Sequence, residues 1–279
     1  MLCDLHVHSF FSDGTFSPAE IVEASLEAGL SAIALTDHNT VDGLPDFISA
    51  ARGKNINIIP GAEFSADYNG NELHILGLFI SPEHFATVSA LMANENRLKE
   101  ESNIALIKNL NRLGYQLDYA EIKRSTPSKR INRAHVATAL VQHGYVNSVS
   151  EAFDTVLSKS AGCYVEPKRI SAKEIIDFIN SIGAVSVLAH PLISISEEDL
   201  IEFLNTTQGL RGMECYYSTY DEDTTVRSLR IAEKFGLLKS GGSDFHGSRK
   251  PTISLGIGEG NLRVPYDFYL ALEQCSKSN

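Results

Sequence analysis

His6 and His8 stand two apart in Asp4-Leu5-His6-Val7-His8, so on an extended chain both imidazoles project to one face. Donors of the same kind recur along the chain, each after a short apolar run. His38 lies in Thr36-Asp37-His38-Asn39, and Glu63 follows residues 56–60. His190 lies in Ala189-His190-Pro191, and Asp244 and His246 lie in Ser243-Asp244-Phe245-His246. Asp13, in the loop after His8, and His74 can reach the same place. Imidazoles suit zinc, iron or nickel, and carboxylates suit manganese or magnesium. Six histidines, two aspartates and one glutamate exceed the roughly four to six donors that one ion takes, so two or three divalent ions (Mn, Fe or Zn) are expected. A single histidine at a strand end is ordinarily structural. The metal reading rests on the repetition from strand to strand. His84 and His143 lie in helical stretches of mixed polarity and are expected at the surface.

Such donors need elements that bring them together. Residues 2–7, 32–36, 56–60, 184–189, 212–216 and 237–241 read as buried strands. Helical patterns alternate with them. Ser17-Pro18-Ala19-Glu20 and Ser171-Ala172-Lys173-Glu174 carry the cap and the glutamate three residues later that start a helix, and Gly183 ends the second helix. Repeated strand–helix units predict a parallel sheet, here a closed or nearly closed α/β barrel, whose strand C-termini converge on one mouth. An open doubly wound sheet is the alternative. Residues 63–80 read as a hairpin turning at Asn69-Gly70. From 83 to 166 the pattern is helical, with helices expected over 91–113, 119–124, 134–143 and 149–157. The chain is therefore expected to divide into a barrel, residues 1–82 and 167–279, and a helical insertion, residues 83–166, that caps the mouth.

Composition narrows the function classes. With 43% hydrophobic residues the chain has ample apolar surface for a core, which excludes wholesale disorder. No apolar run approaches the roughly 20 residues of a spanning helix, and no signal peptide is evident. Four scattered cysteines without a C-x-x-C pair fit the reduced thiols of a cytoplasmic protein. A net charge of −11 argues against duplex nucleic acid and anionic membranes as partners, but not against a small phosphorylated substrate met by metal ions.

In order and spacing these motifs, with Gly61-Ala62-Glu63, resemble the PHP family (polymerase and histidinol phosphatase) over essentially the whole chain. The resemblance implies a distorted (β/α)7 barrel with a trinuclear metal centre. His6, His8, Glu63 and Asp244 would hold one ion. Glu63, bridging, would hold a second with His74 and His190, and Asp13, His38 and His246 would hold the third. Asp37 would orient a neighbouring histidine. Asp13, Glu63, His190 and Asp244 are the expected catalytic residues, acting through the metals. Two closely spaced ions supply a hydroxide at neutral pH and neutralise phosphoryl charge.

Within the family, three features resemble the small stand-alone nucleotide phosphoesterases. These are Ser9-Phe10-Phe11-Ser12-Asp13-Gly14, with Asp13 where many relatives have His; Asn132-Arg133-Ala134-His135, close to an R-P-H motif with Ala134 in place of Pro; and Gly162-Cys163-Tyr164-Val165-Glu166-Pro167. That branch removes the 3′-phosphate of nucleoside 3′,5′-bisphosphates, and some relatives digest short RNA from the 5′ end. Arg133, a planar fork suited to phosphate oxygens, and His135 are the expected substrate-binding residues. Lys129, Arg130 and Arg133 form one basic cluster, and Lys168 and Arg169 could face the cleft but carry no assignment. The expected partner is a small phosphorylated nucleotide or short oligonucleotide. The competing functions are a histidinol phosphatase and a non-catalytic metal-binding module.

Overall fold

Ser17 and Ser171 each accept a hydrogen bond from the backbone three residues on, while Glu20 and Glu174 reach back to the cap, so two helices begin with complete capping boxes. These start α1 (Pro18–Glu27) and, later, α7 (Ala172–Ser181). The computed structural model describes residues 1–126, 131–164 and 167–278. In these, the strands are β1 (Leu2–Asp4), β2 (Ala32–Leu35), β3 (Asn57–Tyr68), β4 (Asn71–Leu78), β5 (Val185–Leu188), β6 (Gly212–Tyr217), β7 (Leu238–Gly242) and β8 (Val264–Pro265). The other helices are α2 (Leu44–Ala50), α3 (Phe85–Arg112), α4 (Tyr119–Ser125), α5 (Arg133–Gln142), α6 (Val149–Asp154), α8 (Pro191–Ser194), α9 (Glu197–Thr206), α10 (Glu222–Lys234) and α11 (Tyr266–Ser276).

The sheet runs β7-β6-β5-β4-β3-β2-β1-β8 and closes on itself, because the chain beyond β1 pairs with β7 and the residues after it. Leu5 N donates to Gly241 O at 3.1 Å and Asp244 N to His6 O at 2.8 Å, and Val7 bridges Phe245 in parallel. Closure requires Gly242: a Cβ there would lie 2.4 Å from His6 Cβ. The result is a distorted barrel of mixed strand direction. The β3–β4 and β4–β5 pairs are antiparallel, and β1–β2, β2–β3, β5–β6 and β6–β7 are parallel.

Alternate residues of β2 show how the barrel is filled. Ile33 and Leu35 point outward against α1, α2 and their neighbours, and Ala32 and Ala34 point inward with Ile59, Val185 and Val187. Tyr269 and Leu272 of α11 complete the inner cluster. A third cluster, with Leu106, Leu110, Val136 and Leu140, belongs to α3–α6. No helix among the described residues is long and apolar enough to cross a membrane.

Two elements differ from the sequence reading. The strand expected at 56–60 and the first arm of the hairpin are one continuous strand, β3, since Gly61 fits where a Cβ would meet Gly77 O at 2.8 Å. The long helix α3 begins at Phe85, several residues earlier than its charged pattern suggested.

Candidate metal centre

Strands β1–β7 all send a polar side chain to the barrel mouth, or carry one into it just past their ends. His6 and His8 follow β1, His38 follows β2, Glu63 lies in β3 and His74 in β4. His190 follows β5, Glu214 lies in β6, and Asp244 and His246 follow β7. Glu63 is fully buried and sits at the middle. Its Oε2 lies 3.3 Å from His6 Nε2, 3.2 Å from His8 Nε2 and 2.9 Å from His38 Nδ1. Its Oε1 lies 2.8 Å from His74 Nδ1 and 3.2 Å from His190 Nε2. Asp244 Oδ1 faces His8 Nε2 at 3.1 Å and His6 Nε2 at 3.6 Å, and Asp13 Oδ1 faces His246 Nε2 at 3.2 Å and His38 Nε2 at 3.8 Å. All nine expected donors thus share one mouth. Four groups of them have donor atoms within 4.8 Å of one another: His8, Asp13, His38 and His246; His6, Glu63 and His190; His6, His8 and Asp244; and His38, Glu63 and His74. The groups overlap through His6, His8, His38 and Glu63, so the donors form one pool rather than separate cages.

A set of neighbours aims these donors, and the sequence reading did not identify it. Glu214, fully buried, takes His6 Nδ1 at 3.1 Å on one oxygen and the His190 backbone N–H at 2.7 Å on the other. His6 Nε2 is thereby left for the centre. Lys250 Nζ at 2.5 Å and Tyr217 Oη at 2.7 Å both donate to Asp244 Oδ2, leaving Oδ1 inward. His246 Nδ1 lies 2.8 Å from its own turn's Asp244 carbonyl, and His190 Nδ1 lies 3.2 Å from Ser194 Oγ. A glutamate inside the apolar run 212–216 was the available sign of Glu214. Nothing local marks Tyr217 or Lys250. His190 and Asp244 hold left-handed backbone, φ 28° and φ 53°, which costs a non-glycine residue about 1–3 kcal/mol and persists where surrounding bonds impose it.

The donor set fits divalent metal ions. Nδ1 of His8, His38 and His74 and Oε2 of Glu63 are buried without a hydrogen bond. The short distances to Glu63 Oε2 therefore do not come with hydrogen-bond directions, whereas Oε1 bonds His190 Nε2, and the unpaired lone pairs face shared space. Buried polar atoms left so are costly, and a cation facing several of them satisfies all at once. The charge balance agrees. Burial would raise the Glu63 and Asp244 carboxyls, but His38 and its neighbours around Glu63, and Lys250 with His246 beside Asp244, hold both well below the usual range. Burial would lower His74 and His8, yet Glu63 pushes His74 up to about 10, and Asp244 with Glu63 pushes His8 up to about 9. At His38 burial prevails and the ring falls to about 4. Without cations the carboxylates must recruit protons, and metal binding would release them.

The remaining expected residues separate. Arg133 borders the centre. Together with Asp13, His38 and His74 it lines a cavity of about 280 Å³ that also contains Lys99, Phe153, Tyr164 and Arg169. Its guanidinium lies 4.5 Å from the Tyr164 ring centroid. His135 does not line this cavity. It is buried, its Nδ1 lies 2.7 Å from Asn132 Oδ1 at the start of α5, and it borders a smaller cavity beside Arg249. Asp37 accepts from Ser9 N, Ser9 Oγ and Ser12 Oγ, so it ties down the loop carrying Asp13. Lys129 and Arg130 lie outside the described residues, as do Val165 and Glu166. His143 is exposed and His84 half-buried.

Residues 4–169 match the PHP domain. The chain belongs to the PHP family. Curated relatives in the family include a 5′-3′ exoribonuclease of Haemophilus influenzae, 31% identical over 246 residues spanning 87% of this chain and 89% of that protein. A 3′,5′-nucleoside bisphosphate phosphatase of Chromobacterium violaceum is 30% identical over 247 residues, spanning 87% and 86%. Among solved structures, a metal-dependent phosphoesterase from Bifidobacterium adolescentis superposes with a TM-score of 0.85 at 28% identity, over 98% of this chain and 96% of that one. Membership, with relatives named as phosphatase and exoribonuclease, makes this PHP chain a hydrolase of phosphate esters. Together with the donor clusters, it makes divalent metal ions the expected cofactor.

Proposed function

We propose that this chain removes the 3′-phosphate from nucleoside 3′,5′-bisphosphates and also trims short RNA from its 5′ end. The observation that carries the reading is the shared cavity. Metal donors Asp13, His38 and His74 line it, and so do the cations Lys99, Arg133 and Arg169 and the aromatic rings of Phe153 and Tyr164. A substrate with one phosphate at the donors, a second anionic group a short distance away and a flat base between matches these three chemistries. In this reading His6, His8, Asp13, His38, Glu63, His74, His190, Asp244 and His246 hold two or three ions, and Asp13, Glu63, His190 and Asp244 act through them. The bound ions would supply Lewis-acid activation of water and neutralise phosphoryl charge. The chain's own residues do the rest. Glu214 and Lys250 hold His6 and Asp244 in position, and Arg133 and Arg169 hold the anionic group that is not cleaved.

Residues 83–166 serve in this proposal as a helical cap on a barrel formed by 1–82 and 167–279, supported by the separate apolar cluster of α3–α6. The acidic surface favours short substrates over long duplexes. The test is phosphate release by metal-reconstituted protein from adenosine 3′,5′-bisphosphate, set beside 5′-AMP, histidinol phosphate and a 5′-phosphorylated oligoribonucleotide. Preferential release from the bisphosphate is expected. Equal or greater turnover of histidinol phosphate would overturn the substrate assignment.

A further inference from the structure

Arg133 and Arg169 meet a carboxylate that belongs to the protein. Glu72, near the tip of the β3–β4 hairpin, places Oε2 2.8 Å from Arg169 Nη2 and 3.3 Å from Arg133 Nη2. Its other oxygen lies 3.5 Å from His74 Nε2. Among the described residues it is the carboxylate that touches both arginines. The Arg169 side chain is only 6% exposed, whereas Glu72 is 23% exposed and sits near the Asn69-Gly70 turn, at the open side of the arginine pair. Two guanidinium forks and the ammonium of Lys99 thus line a space in which one of the protein's own carboxylates already sits.

We propose that Glu72 holds the place of the substrate's second phosphate, which takes over Arg133 and Arg169 as the carboxylate swings out, so that Glu72 sets selectivity by competing for that subsite. The proposal rests on the bisphosphate reading above. A phosphate offers three oxygens and up to two negative charges to a pair of forks, where a carboxylate offers two oxygens and one charge, so the exchange favours phosphate. A carboxylate or neutral group arriving at the same place gains nothing over Glu72 and is left unbound. Burial, opposed by Glu72, lowers the Lys99 ammonium, and a more highly charged occupant would relieve it. Glu72 also neighbours His74, so an incoming phosphate would free the face of His74 that Glu72 now touches.

The test compares wild type, Glu72→Gln and Glu72→Asp, titrated calorimetrically with adenosine 3′,5′-bisphosphate and with adenosine 3′-phosphate on protein loaded with calcium to slow turnover, then assayed after reconstitution with manganese. Competition predicts that Glu72→Gln binds the bisphosphate about fivefold more tightly, the scale of one partly exposed ion pair, while adenosine 3′-phosphate is unaffected. Glu72→Asp should fall between the two. KM for the bisphosphate should drop without a matching rise in kcat. Weaker bisphosphate binding by Glu72→Gln would show that Glu72 only props the arginines, and the proposal would be overturned. No change in either ligand would overturn it as well. Failure of the bisphosphate reading itself is seen separately, as a wild type that does not prefer the bisphosphate to adenosine 3′-phosphate. Metal content measured on each variant separates any loss of His74 from the subsite effect.

Discussion

The two ends of the cavity are built differently. The donor end stands on strands and the loops that follow them, is mostly buried, and several of its groups are held from behind: Glu214 behind His6, Lys250 and Tyr217 behind Asp244, Ser194 beside His190. The cationic end draws on the hairpin, the first turn of α5 and the segment before α7, and it keeps partial exposure at Glu72 and Arg133. Rigid placement suits chemistry, which depends on sub-ångström geometry. Looser placement suits recognition, where one scaffold can serve several substrates by varying what surrounds the mouth. On the proposed reading the reaction class therefore belongs to the donor end, and substrate choice belongs to the cationic end.

The comparison breaks most sharply at Glu63. Glu63→Gln removes the carboxylate common to five imidazoles and should lower kcat/KM by more than about a thousandfold, a loss of about 4 kcal/mol of transition-state stabilisation. Elemental analysis should find fewer ions per chain. Full activity in this variant would remove the centre proposed here. Glu214→Gln tests the support behind the donors. About 10- to 100-fold loss in metal affinity or activity is expected with the fold intact by circular dichroism, because His6 loses the partner that fixes its orientation.

The cationic end should answer in a different parameter. Arg133→Ala and Arg169→Ala should each raise KM for the bisphosphate about tenfold, leaving kcat and metal content near wild type. A collapse of kcat instead would erase the division between the two ends. The smallest effect is in stability. In metal-free protein His74 and His8 carry folded values of about 10 and about 9, above the ordinary value of about 6.5. A raised folded value stabilises fully below the unfolded one and is lost as pH climbs through the folded one. The melting temperature of chelated protein should thus fall between pH 7 and pH 10, by about 2–4 °C for each kcal/mol lost, and the metal-loaded protein should not follow that decline.

Much of this was legible before any coordinates. The capping boxes at Ser17 and Ser171 announce their helices through local chemistry alone, and the donor pattern survives translation into space because each donor follows or lies within a strand of the same barrel. The helices expected over 119–124 and 134–143 appear as α4 and α5, each end within one residue of its expected position. Less visible were residues whose role depends on who arrives opposite them. Lys250 pairs with Asp244 across a turn, Tyr217 reaches it from β6, and Arg169 meets Glu72 from 97 positions away. His135 reads in sequence like a partner of Arg133, yet the helical turn that directs Arg133 to the cavity directs His135 to Asn132.

By itself the sequence determined the donor types, their order and the barrel class that would gather them, because these follow from local periodicity and from residues whose chemistry is their own, and its motifs in order resembled the family. Only the tertiary structure decided that His38 also faces Glu63, which neighbours hold the donors, and that a glutamate already sits between Arg133 and Arg169. Those relations are made across the closed sheet by residues far apart in the chain, where neither propensity nor spacing carries information about distance.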